Sequence, residues 1–193
     1  MIAVRSMIAS FFLCSLLAIN VSAAVSITNV VVSDGNPAMV DDGLQVGDKA
    51  YSDRNYTFGE IPEKYLGLPF IMTPMSSSKD PIEPGLEISF DIDREAYIYL
   101  VWATKEAPRE WLTDAYVNTE DQIFMGQGMQ AWPELHDREV WRSEESFKPG
   151  KVTTYEVTQD AAIYIIFVEE AKSGMAVSPS RKLTISWGAL KTR

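Results

Sequence analysis

Thiols are the first thing this chain lacks. Its one cysteine is Cys14, so nothing after residue 23 can form a disulfide, a thiolate nucleophile or a cysteine metal site. Histidine is as scarce, with His136 alone. A histidine-based zinc centre is therefore short of ligands. A Ser-His-Asp triad would have to use His136, and no G-x-S-x-G elbow or other nucleophile motif accompanies it. Between Leu135 and Asp137 it reads as a surface residue. Long apolar runs are confined to the start of the chain. Arg5 is followed by MIASFFLCSLLAI and then by the small-residue pattern Val21-Ser22-Ala23. That is the layout of a secretory signal peptide over residues 1–23, too short for a spanning helix. The bulky Phe11-Phe12-Leu13 before Cys14 argue against a lipoprotein signal.

Positive charge is also in short supply. The chain has 17 Lys+Arg against 27 Asp+Glu, and only Arg5 lies in the first 23 residues, so the remainder carries a net charge of −11. Such a surface repels nucleic acid and anionic membrane, so neither is an expected partner, and no membrane insertion is expected after signal cleavage. An exported location follows, periplasmic or extracellular.

Helix signals are few. Glu110 to Ala115 is the best, limited by Pro108. Short β segments and turn signals fill the rest. AVSITNVVVSDGNP alternates Val25, Ile27 and Val31 with Ser26 and Thr28, then stops at Asp34-Gly35-Asn36-Pro37. GLEISFDIDREAYIYLVW reads as a hairpin bending at Asp93-Arg94-Glu95. Leu86, Ile88, Phe90 and Ile92 share one face, and Tyr97 to Trp102 form an inner strand. KVTTYEVTQDAAIYIIFVEE repeats the theme around Gln159-Asp160, and Arg181 to Trp187 reads as a last strand. Met75 to Pro84 reads as a mobile loop. The expected architecture is all-β: residues 24–193 as one antiparallel β-sandwich, jelly-roll or immunoglobulin-like, with few short helical turns.

Several segments together resemble a β-sandwich module attached to secreted bacterial polysaccharide-degrading enzymes. They are GLQVGDKAYSDRNYTFGEIPEKYLG (43–67), LEISFDIDREAYIYLVW (86–102), PREWLTDAY (108–116) and ESFKPGKVTTYEV (145–157). The chain departs from the family pattern at the EVTQDAA turn and in the added stretch QGMQAWPELHDREVW. The resemblance implies a non-catalytic accessory role in carbohydrate binding, with no catalytic residues and no cofactor. The expected partner is a polysaccharide or cell-surface glycan, with a protein partner as the alternative.

Candidate sites follow from residue chemistry. Sugar C–H faces stack on flat aromatic rings. Trp102 and Trp187 sit in apolar strands and read as core. Trp111, Trp132 and Trp141 lie among charges and prolines and are the candidate carbohydrate-binding residues. In YSDRNYTF, read as a strand, Asp53 and Arg54 form a candidate structural ion pair, favoured over an arginine that reads an acidic sugar. Asp91 and Asp93 are weak calcium candidates on the wet face of a strand. The basic tail of Arg181, Lys182, Lys191 and Arg193 suggests a second function, in envelope assembly. A carbohydrate-active enzyme stands third, since no pair of carboxylates is picked out by linear sequence.

Overall fold

The computed structural model describes residues 24–78, 86–104, 107–128, 136–155 and 163–171. The signal segment, Trp132, the Gln159-Asp160 turn, Trp187 and the basic tail all lie outside them.

Among the described residues, ten strands form two antiparallel sheets. They are β1 (Ile27–Val32), β2 (Met39–Asp41), β3 (Phe58–Glu60), β4 (Phe70–Met72), β5 (Ile88–Ile92), β6 (Ala96–Ala103), β7 (Tyr116–Met125), β8 (Asp137–Ser143), β9 (Gly150–Thr154) and β10 (Ile165–Glu170). The small sheet has the order β1-β5-β9, and the large sheet β2-β4-β10-β6-β8-β7-β3. This is the antiparallel sandwich expected from the turn spacing. Helix α1 (Glu110–Ala115) falls on the predicted residues.

Strand position explains strand composition. β6 (AYIYLVWA) is buried at every residue except Tyr97, because β10 and β8 flank it and both its faces are covered. β5 belongs to the small sheet, with one face on the core. Ile88, Phe90 and Ile92 are buried, while Ser89 and Asp91 face outward. Tyr164, just before β10, ties the sheets together. Its hydroxyl donates to Tyr155 O (2.6 Å) and lies 2.8 Å from Thr154 Oγ1 at the end of β9, and its ring stacks on Trp102.

Three expectations are corrected. First, β5 and β6 are not a hairpin. Asp93-Arg94-Glu95 is an arch that carries the chain from one sheet to the other. β5 pairs with β1 and β9, and β6 with β10 and β8. A hairpin and an arch show the same alternation, so periodicity could not separate them. β9 and β10 likewise belong to different sheets. Second, the inward set of β1 slips by one. A bulge between Thr28 and Val31, with Asn29 at φ 51°, turns Val31 out to 57% exposure and buries Val32. Third, Tyr51 to Phe58 is not a continuous strand. Ser52 to Arg54 turn, and only isolated bridges at Tyr51↔Thr73 and Lys49↔Thr57 flank them. The loop expected from Met75 opens with a 3-10 turn, Met75–Ser78.

The large sheet curls. Its edge strand β3 comes back towards β4, so that Phe58 lies 5.7 Å from Phe70 and 6.0 Å from Phe167 of β10. Tyr65 closes the aromatic group, 5.4 Å from Tyr99 and 6.2 Å from Phe167. The buried residues form one cluster that covers both faces of the large sheet, between the sheets and inside the curl.

Candidate functional site

Register builds the site. Directly opposed residues share a face. Phe70, Phe167, Tyr99, Arg142 and Val117 are opposed in turn across β4, β10, β6, β8 and β7, and form one row on the curled face. Glu169 and Tyr97, also opposed, lie one step along it. At the β10 end the row is covered by aromatic core. Towards β7 it opens into a cleft of about 290 Å³ lined by Lys64, Tyr65, Tyr99, Val117, Thr119, Arg142 and Glu169.

Two local irregularities shape this cleft. Pro62 opens the 3-10 turn Glu63–Tyr65, which sets Lys64 beside Tyr65 at the rim. Gly67, at φ +79°, closes the loop behind it. In β7 a bulge between Asn118 and Gln122, with Glu120 at φ 65°, interrupts the ladder. Thr119 Oγ1 donates to Val140 O there (2.7 Å) in place of a ladder bond, and the bend brings Asp121 to the tyrosine.

The polar groups are coupled. Tyr65 donates its hydroxyl to Asp121 Oδ2 (2.6 Å), and Lys64 Nζ lies 2.5 Å from the same oxygen. Tyr99 donates to Glu169 Oε2 (2.5 Å). Burial pushes both phenols well above the ordinary tyrosine value, and donation to a carboxylate adds to the rise. Burial also pushes on Asp121, upward. The hydrogen bonds from Lys64 and Tyr65, with the charge of Lys64, outweigh it and hold the carboxyl below its usual range. Asp121 is thus an ionised acceptor at neutral pH. Arg142 stacks its guanidinium 4.4 Å over the Tyr97 ring and makes no hydrogen bond or ion pair among the described residues. The cleft therefore offers a fixed planar donor fork, carboxyl oxygens of Glu169 and tyrosine oxygens. That set matches the vicinal hydroxyls of a sugar.

The sequence candidates fall elsewhere. Trp141 is 8% exposed, its Nε1 donating to Glu139 Oε2 (3.1 Å). Trp111 is half-buried among Trp102, Tyr116, Tyr155 and Tyr164, all within 6.1 Å centroid to centroid. With Tyr155, 46% exposed, it gives a second aromatic surface. Trp102 is buried as expected. Asp53 and Arg54 do pair, Nη1 to Oδ2 at 2.9 Å. Asp53 also accepts the backbone N–H groups of Met75 (2.8 Å) and Ser76 (3.0 Å), which caps the following 3-10 turn. Asp91 accepts from Asn29 Nδ2 (2.7 Å), and Asp93 from Ser26 N (2.8 Å) while pairing with Arg94. Among the described residues no group of three or more His, Cys, Asp or Glu is placed to hold a metal. His136 is half-buried and lies 2.9 Å from Asp137 Oδ1. A larger hollow of about 490 Å³ lies beside Asp114, Glu144, Glu145 and Lys148, with Phe147 as its one ring.

The cleft residues escaped sequence reading because four strands and a turn contribute them. The one local sign was YIY in β6, two tyrosines inside an otherwise apolar strand.

Comparison with known proteins locates the fold. No family model and no curated sequence matches the chain. Among solved structures, a β-glucuronidase of glycoside hydrolase family 2 superposes with TM-score 0.60 at 19% identity. The match covers 74% of this chain and 14% of that enzyme. A family 138 glycoside hydrolase that targets pectin rhamnogalacturonan II also aligns, with TM-score 0.48, 14% identity, and 78% of this chain against 17% of that one. The chain thus spans a small part of these enzymes, and what it shares with the β-glucuronidase is the fold.

Proposed function

We propose that this protein is a non-catalytic carbohydrate-binding module, and that it holds its sugar in the Tyr65–Tyr99 cleft. The observation that carries the reading is Arg142, stacked on Tyr97 with its donors uncommitted, facing oxygens on Tyr99 and Glu169. A pair of sugar hydroxyls can accept from the fork while donating to the carboxylate. The fold of a β-glucuronidase segment supports a carbohydrate-related role. The non-catalytic half rests on the resemblance of the sequence to an accessory module and on the lack of a nucleophile motif in it.

Calorimetric titration of the purified chain against a panel of neutral and acidic oligosaccharides tests this. Binding by at least one sugar is expected, weakened about tenfold in Arg142→Ala, the loss of a charge-assisted hydrogen bond. Tyr99→Phe should weaken it too. If Tyr155→Ala abolishes binding and Arg142→Ala does not, the sugar lies on the Trp111–Tyr155 surface and the cleft assignment is wrong. If no sugar in the panel binds to the folded protein, the module reading itself fails.

A further inference from the structure

Arg138 takes no part in the cleft. It lies on β8 four residues before Arg142 and on the same face, roughly 13 Å along the strand, within the curl of the large sheet. The side chain is fully buried, and Nε, Nη1 and Nη2 all lack a hydrogen-bond partner among the described residues. Its opposed neighbours, Ala103 on β6 and Ile123 on β7, are buried and apolar. The polar group beside it is Tyr51: the arginine's charge and the close approach of its N–H groups to the phenol oxygen partly offset the rise that burial imposes, though none of them reaches that oxygen in hydrogen-bond geometry. Tyr51 gives its own proton to Ile163 O (3.0 Å). Asp53, whose charge is also felt at Tyr51, is committed to Met75 N, Ser76 N and Arg54.

A guanidinium cannot escape such a place by losing its proton, as a buried lysine can. A full charge with five N–H donors enclosed by apolar groups is a costly arrangement, and a methionine of similar length would fill the space without that cost. The fork geometry matches an oxyanion, and the full burial of the side chain limits its size. We propose that Arg138, beside the Tyr51 hydroxyl, is the ligating group of a buried site for a small anion: chloride, or a carboxylate no larger than acetate. This site is independent of the sugar cleft.

The test is thermal unfolding of the whole chain at constant ionic strength. Chloride, formate or acetate is substituted stepwise for a bulky buffer sulfonate. A saturable rise in Tm of several degrees is expected with at least one small anion, as for any ligand that binds only the folded state. The anion that gives the rise separates chloride from carboxylate. Arg138→Met should lose the dependence, and without small anions it should melt no lower than the wild type. If that variant does not fold, chloride-35 line broadening on the wild type, reversed by formate, reads the site without a mutation. Equal Tm in every salt, or a rise that persists unchanged in Arg138→Met, overturns the proposal. Equal Tm would assign the arginine's counter-charge to the chain itself.

Discussion

At the scale of single residues, Asp53 and Arg54 show what adjacency reveals and conceals. Both are charged, neighbouring and set in an aromatic stretch, so the ion pair was legible in the sequence. The larger role of Asp53 was not, because the N–H groups it caps belong to Met75 and Ser76, more than twenty residues on. The two effects differ in size. The Arg54 side chain is one-third exposed, and an exposed pair contributes about 0–1 kcal/mol. Leaving two partly buried N–H groups without their carboxylate costs about 1–3 kcal/mol. Asp53→Ala should therefore destabilise clearly more than Arg54→Ala in urea unfolding. Equal losses would mean that the ion pair, and not the cap, is the stabilising contact. The tryptophans carry a related lesson. Trp111 and Trp141 sit among charges in the sequence, yet a charged neighbour on a strand or a short helix points to the other face. Local composition therefore says little about a ring's own exposure.

At the scale of elements, the type of each element was more legible than its partner. Strands β1, β5, β6, β9 and β10 and helix α1 all stand where periodicity and turn residues put them. Pairing was not legible at the arch, because a chain that bends back can stay in its sheet or cross to the other. Nor was the register of β1, since a bulge leaves no mark in a Thr-Asn-Val run. The large sheet closes on its curl at β3, where strand approach depends on two glycines. A Cβ on Gly59 would meet the Cα and N of Gly126 at 3.1 Å and the carbonyl carbon of Met125 at 3.2 Å. All three atoms are backbone, so no side chain can swing away. Gly59→Ala should force β3 off β7 at a cost of about 1–3 kcal/mol. Amide exchange should quicken at Gly126, whose N–H donates to Thr57 O, while β5 and β9 in the other sheet stay protected. Unchanged exchange at Gly126 would show that β3 yields without leaving its partner.

At the scale of the whole molecule, the absence of disulfides leaves stability to the apolar core, and tyrosine side chains are buried on both faces of the large sheet. Tyr51, Tyr65 and Tyr99 line the curled face, while Tyr116 and Tyr164 pack with Trp111 on the other side. Burial raises the pKa of all five above the ordinary 10.0. Their folded state holds the phenol proton more tightly than the unfolded chain does. The stability this gives is fully present below about pH 10 and is lost as pH climbs past it, because the unfolded chain ionises first. Five such groups act together, so alkaline unfolding should be cooperative and steep. The larger part of the tyrosinate band, from these five of the eight tyrosines, should then rise together with the loss of β-sheet circular dichroism. Tyr164→Phe supplies the internal control. It removes one ionisable group, and also the hydroxyl that reaches Tyr155 O and Thr154, so it should lower stability at neutral pH and flatten the alkaline slope. Ionisation of all eight tyrosines ahead of the loss of structure would mean that water reaches even the fully buried Tyr51 phenol in the folded protein, and the enclosure of Arg138 beside it would then have to be given up as well.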